Sequence, residues 1–165
     1  MIPIQTILHP TDFSQSAANA FQFACMLARD YAARLVIVHV AQRPMTVLAG
    51  TEALPPFPDE YGREELEERL RRIESPFASV RLECRLLTGD PAREILQVAQ
   101  VVPCDLIVMG THGRTGLSRL LMGSVAEQVV RKAPCPVITV KTPLYSPSLA
   151  SAQHAHEPVE VFCLR

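Results

Sequence analysis

The chain contains no tryptophan, and aromatic residues make up only 5% of it. That scarcity argues against a surface of stacking platforms for nucleic-acid bases. Charge of either sign is nearly cancelled, 16 Lys and Arg against 17 Asp and Glu, so no global field draws the protein to nucleic acid or to an anionic membrane. The longest apolar stretches are strand-sized, which leaves no candidate for a membrane-spanning helix. The opening Met1-Ile2-Pro3-Ile4-Gln5 lacks the basic and apolar regions of a secretion signal. Cysteine never occurs as a CxxC pair. The five thiols, Cys25, Cys84, Cys104, Cys135 and Cys163, are scattered and odd in number, which favours reduced side chains in a cytoplasm over a disulfide framework. The first four are expected to be buried and inert.

What remains is an ordinary globular composition. The 165 residues, 48% apolar and 20% charged, suffice for one domain with its own core. Strand and helix signals alternate along it. Ile4-Gln5-Thr6-Ile7-Leu8 reads as a strand stopped by His9-Pro10. Asp12 or Ser14 can cap the helix that follows, where Ala17, Ala18, Phe21, Ala24, Leu27 and Ala28 recur at helical spacing. Leu35 to Val40 is nearly continuous in hydrophobicity, as a strand covered on both faces should be. Five prolines and glycines between 42 and 58 rule out regular structure over most of that stretch. From about Asp59 to Glu74 a helical stripe of Leu66, Leu70 and Ile73 faces inward, and Glu and Arg fill a solvated face.

Val80 to Leu87 gives a third strand. Asp90 and Pro91 then open a helix over Ala92 to Val101 as cap and first helical residue. Leu106 to Met109 is a fourth strand, Ser124 to about Lys132 a helix, and Pro136 to Val140 a fifth strand. This repetition predicts an α/β fold, an open five-stranded parallel sheet with helices on both faces. Ligands of such sheets sit at the carboxyl ends of the strands, where strand order reverses. The loops after Leu8, Val40 and Met109 all lie at that end. Residues 1–141 therefore form the domain, and 142–165 a tail. The tail is linker-like at first, but Val159 to Leu164 alternates like a short strand able to join a sheet edge, its own or a partner's. His154, His156 and Cys163 in the tail match no standard metal spacing, and no metal ligand is assigned.

The segment richest in chemistry follows the fourth strand: Gly110-Thr111-His112-Gly113-Arg114, running on to Gly123-Ser124-Val125. Glycines allow close approach of the main chain to an anion, and a helix start adds unpaired N–H groups and its dipole. Ser124-Val125-Ala126-Glu127 also has the pattern of a capping box, with Ser124 as the cap. Such a segment predicts a phosphate cradle.

With the elements in this order, Gly110-x2-Gly113-x9-Gly123-Ser124 resembles the nucleotide-binding signature of the universal stress protein family. Pro10-Thr11-Asp12-Phe13-Ser14 resembles that family's opening motif, and Val38-His39-Val40 its second-strand ending. The resemblance covers residues 4 to about 141. It implies a Rossmann-like sheet of order 3-2-1-4-5, related to the adenine nucleotide α-hydrolases. All three glycines and the serine are present, which resembles the branch of the family that binds ATP or AMP. By that resemblance Pro10, Thr11 and Asp12 form the ribose and adenine side of the site. Asp12 accepts hydroxyl donors there, although a helix-capping role fits its position as well. Main-chain groups of Val40 read the adenine edge. Met109 and Gly110 line the ribose and α-phosphate. Gly113, Arg114, Gly123, Ser124 and Val125 contact phosphates through N–H groups, the hydroxyl and the guanidinium. A Mg2+ ion has room to bridge phosphates and Ser124, but no carboxylate pair in the loop demands one.

The motifs of several enzymes are missing. There is no GxxxxGK[ST], no GxGxxG, no SGGxDS, HIGH or KMSKS, and no base placed to orient a water. The resulting expectation is a cytoplasmic stress-response protein that binds ATP or AMP as a regulatory module, with no catalytic residue. Slow nucleotide hydrolysis and a ligand-free structural dimer are the alternatives. Pro136 to Val140 is apolar and last in the order 3-2-1-4-5, so it lies at a sheet edge, which pairs unless covered. The resemblance implies a homodimer through that strand.

Overall fold

In the computed structural model the described residues are 3–42, 60–111, 122–141 and 161–163. Among them ten elements follow one another: β1 (Thr6–Pro10), α1 (Gln15–Asp30), β2 (Arg34–Ala41), α2 (Glu60–Arg71), β3 (Leu82–Thr88), α3 (Pro91–Val101), β4 (Leu106–Gly110), α4 (Ser124–Lys132), β5 (Val137–Val140) and β6 (Val161–Cys163). Five parallel strands take the order β3-β2-β1-β4-β5, as expected. β6 adds a sixth, antiparallel strand outside β5, pairing Ile138 with Cys163 and Val140 with Val161.

That last strand corrects the expectation for Pro136 to Val140. β5 is not the edge of the sheet, because the tail of the same chain covers it. Of the two partners the alternating tail segment could join, the chain's own sheet is the one it meets.

Successive strand residues feed two apolar layers, so both faces of the sheet are covered. Ile7, Leu35, Ile37 and Val108 pack with Ala20, Ala24, Cys25 and Ala28 of α1 and with Leu70 of α2. Leu8, Val36, Val38, Ile107 and Val137 pack with Ile95, Val98 and Ala99 of α3 and with Ala126 and Val129 of α4. The face α1 presents is mostly alanine, which brings its backbone close to the sheet. Ala18, counted on that face from spacing, is exposed. On α2 the charges pair along the solvated side, Arg63 and Arg71 with Glu67 and Arg72 with Glu68, at 3.1–3.2 Å. The irregular stretch inferred for 42–58 lies almost wholly outside the described residues.

β1 begins and ends two residues later than Ile4 to Leu8. His9-Pro10 does not stop it, because His9 is buried and bonded sideways to β4, and Pro10 is the final residue, paired with Val38. A missing N–H is tolerated at a strand's end. From β1 the chain crosses to β2 on one side and later returns to β4 on the other. The crevice between the carboxyl ends of β1 and β4 is therefore the switch point at which α/β sheets bind ligands.

Candidate functional site

The turn after β1 is built from its own side chains. The Thr11 N–H donates to Val38 O at 2.8 Å, and the Thr11 hydroxyl accepts from the Phe13 N–H at 3.1 Å. Phe13 sits in the left-handed region at φ 61°, a strained conformation for a bulky residue that persists only where its surroundings enforce it. Its ring is held against His39, centroids 4.5 Å apart, with the Arg69 guanidinium 4.2 Å from the ring centre. The capping question is also answered. Ser14 caps α1, accepting from the Ala17 N–H at 3.2 Å, and Asp12 Oδ1 accepts from the Ser14 N–H at 3.0 Å. Asp12 therefore orders the turn and remains half-buried at the mouth of the crevice.

On β2 the strand alternation decides which way Val40 faces. Val38 O receives the Thr11 N–H, so the main chain of even-numbered residues points towards β1. Pairing of β1 with β2 ends at Pro10 and Val38. The N–H and C=O of Val40 consequently face the space beyond the end of β1, while its side chain is buried.

Across the crevice, β4 ends at Gly110, and the Thr111 N–H donates to Val140 O at 3.2 Å. Gly110 marks the closest approach of α1. A Cβ there would lie 2.5 Å from Ser16 Oγ, 2.9 Å from the Ser16 carbonyl carbon and 3.0 Å from its oxygen. The Ser16 hydroxyl is buried and has no hydrogen-bond partner among the described residues. The Met109 side chain is 5% exposed and belongs to the core beneath α3 and α4, so only its main chain can line a ligand.

The start of α4 differs from the capping-box reading. The cap is Gly123, with no side-chain cap bond, and Ser124 is already the first helical residue. Gly123 O accepts the Glu127 N–H at 2.9 Å, and the Gly123 N–H donates to Thr111 O at 2.8 Å. The Glu127 carboxylate meets Arg131 at 3.2 Å. The Gly123 amide is engaged by the Thr111 carbonyl in this structure. The amides of the first turn, beginning with Ser124 and Val125, have no carbonyl within the helix to bond and, among the described residues, no side-chain cap. Gly113 and Arg114 lie outside the described residues.

A family model for the universal stress protein family matches residues 3–141. The chain belongs to that family. The universal stress protein MJ0531 of Methanocaldococcus jannaschii is 37% identical over 139 residues, 83% of this chain and 82% of its own length. Among solved structures, MJ0577 of the same organism superposes with a TM-score of 0.72 at 27% identity, covering 87% of this chain and 100% of that one. A universal stress protein crystallised in complex with cAMP gives a TM-score of 0.62 at 26% identity, covering 84% and 98%.

From the sequence of this family member Ser16 has no role in the crevice, Phe13 and His39 enter only as motif positions, and His9 as part of a strand stop. His9 is 1% exposed, and its Nδ1–H donates to Val108 O at 2.9 Å. Burial pulls its pKa from 6.5 down to about 4, against the opposing effects of the Val108 bond and of Asp12. The ring is neutral at pH 7. His39 Nδ1 is 2.7 Å from Thr11 O, and a carbonyl can only accept, so that nitrogen carries the proton. Both histidines thus tie strand ends together. Among the described residues no group of three or more His, Cys, Asp or Glu gathers as a metal site. No helix among them is long and apolar enough to cross a membrane.

Proposed function

We propose that the crevice between β1 and β4 binds ATP or AMP, and that occupancy makes this family member a nucleotide-dependent regulatory module of the cytoplasmic stress response. The observation that carries the reading is the start of α4 at the mouth of the crevice, which has no side-chain cap among the described residues. The unpartnered Ser16 hydroxyl stands beside Gly110 at the same end of the sheet. An anion accepts from such donors without reorganising them. The Val40 main chain offers one donor and one acceptor to an adenine edge, and Asp12 accepts from ribose hydroxyls. Ser124, Val125 and Gly110 then surround the phosphates, with Gly113 and Arg114 assigned there by the motif. The cAMP complex of a family relative supports the choice of an adenine nucleotide. We assign no catalytic residue: His9 is buried and neutral, and the His39 Nδ1–H is held by Thr11 O.

Isothermal titration with ATP, ADP and AMP, with and without Mg2+, tests the proposal. Saturable heat with at least one nucleotide is expected. Asp12→Ala is expected to weaken that binding by roughly tenfold, the effect of losing a hydrogen bond to a charged acceptor. No heat at millimolar ligand would reject the proposal. Phosphate release that scales with protein and vanishes in Asp12→Ala would favour slow hydrolysis instead.

Assembly belongs to the same reading. A homodimer through Pro136 to Val140 needs the edge of β5, and β6 occupies it. The two pairings compete for one row of backbone donors and acceptors. Deleting residues 142–165 is therefore expected to raise the dimer fraction measured by light scattering. If the deletion leaves the monomer–dimer balance unchanged, the interface is not β5.

A further inference from the structure

We propose that Cys104 and Cys135 form a peroxide-responsive dithiol, which closes to a disulfide tying the foot of β4 to the foot of β5. Of the four thiols expected to be buried, Cys25 is, whereas Cys84 is exposed and Cys104 and Cys135 are half-buried. The Sγ atoms of Cys104 and Cys135 are 3.4 Å apart although 31 residues separate them in sequence. Each stands two residues before its strand, and the strands are parallel neighbours in fixed register, Ile107 beside Val137. The Ile107 N–H donates to Pro136 O at 3.0 Å and holds the two feet together. A disulfide needs its sulfurs about 2.05 Å apart, a closure that side-chain rotation supplies. Partial exposure leaves both thiols open to a small oxidant.

The contact also differentiates the two thiols. Cys104 Sγ is placed to donate to Ala99 O at 3.6 Å, which leaves the Cys135 S–H to donate to the Cys104 sulfur. That bond pulls the Cys104 pKa down, against burial and Asp105, and pushes Cys135 up, with burial adding to the rise. Cys104 is thus the attacking sulfur and Cys135 the resolving one. The Cys104 thiolate attacks one oxygen of hydrogen peroxide and breaks the O–O bond. The products are Cys104 sulfenic acid and hydroxide, which the displaced thiol proton converts to water. The Cys135 sulfur then attacks the Cys104 sulfur, and its proton leaves with the sulfenic hydroxyl as a second water. Two thiols lose two electrons in all, and the peroxide oxygens gain them. The closed ring encloses residues 105–134, and with them the whole of Gly110 to Ser124. The inference does not depend on nucleotide binding.

Folded full-length protein titrated with hydrogen peroxide, then denatured and alkylated, tests it. The thiol titre is expected to fall by two, from five to three. Tryptic peptides should show one Cys104–Cys135 link, lighter by two hydrogens and reopened by dithiothreitol. In Cys135→Ser protein, Cys104 should accumulate as a sulfenic acid that dimedone traps. In Cys104→Ser protein, Cys135 should stay unmodified at the same dose. Retention of both thiols while Cys84 oxidises, or links joining other cysteines, would overturn the proposal. So would a Cys135→Ser protein in which dimedone finds nothing at Cys104.

Discussion

Gly110→Ala is expected to lower folding stability by about 3 kcal/mol, the upper part of the range for forcing atoms into a packed site. It should also weaken nucleotide binding by roughly tenfold or more. The added methyl would meet Ser16 Oγ at 2.5 Å, but also the Ser16 carbonyl carbon and oxygen at 2.9 and 3.0 Å. A hydroxyl can rotate away, and a helix backbone cannot. α1 must therefore lift from the end of β4, which opens the crevice on the side that carries Ser16. Chemical denaturation and titration calorimetry on the same variant separate two explanations of this glycine. If it serves only to let the main chain approach a phosphate, affinity falls and stability does not change. If it sets the spacing between helix and strand, both fall together, which is the outcome expected here. The double variant Ser16→Ala with Gly110→Ala should recover part of the loss only, because the two backbone contacts remain.

The second large effect is acid lability centred on His9. Its pKa is about 4 in the folded chain and 6.5 when exposed, so between these values the unfolded state binds the extra proton. Stability is complete above about pH 6.5, declines as pH falls through the interval, and levels off below about pH 4. The difference of 2.5 (6.5 less 4), at 1.36 kcal/mol each, amounts to about 3 kcal/mol. Burial causes it, and the Val108 bond and Asp12 reduce it without cancelling it. His9→Gln has no proton to gain in this range. Its unfolding free energy should therefore be flatter between pH 6.5 and 4, whatever its absolute value at neutrality. Urea titrations at half-unit pH steps on both proteins measure the two slopes. Equal slopes would show that His9 titrates normally and that the acid sensitivity comes from carboxylates.

Much of the architecture was legible before any coordinate. Runs such as Leu35 to Val40 and Leu106 to Met109 are apolar on both faces, and that pattern fits only a sheet with helices on either side. Asp90 and Pro91 opened α3 as read, with Asp90 Oδ1 accepting from the Arg93 N–H at 2.9 Å. Such signals act over three or four residues, so the chain carries them in plain order. The glycine motif likewise follows the carboxyl end of β4, as read.

Local rules misled where a distant partner had the deciding influence. Ser124 with Glu127 has the letters of a capping box, yet Gly123, its N–H held by the Thr111 carbonyl, is the cap, and Ser124 is already the first residue of the helix read from Ser124 to about Lys132. His9-Pro10 has the letters of a strand stop, yet Val108 O and the register with Val38 carry the strand through it. The sequence alone therefore determined the order of elements, the parallel sheet and the strand ends that form the crevice, because periodicity and turn chemistry are short-range. Only the tertiary structure decided that Gly110 faces Ser16, that β6 covers β5 and that Cys104 meets Cys135. Each of these is a contact between segments far apart in the chain, fixed by packing rather than by neighbouring residues.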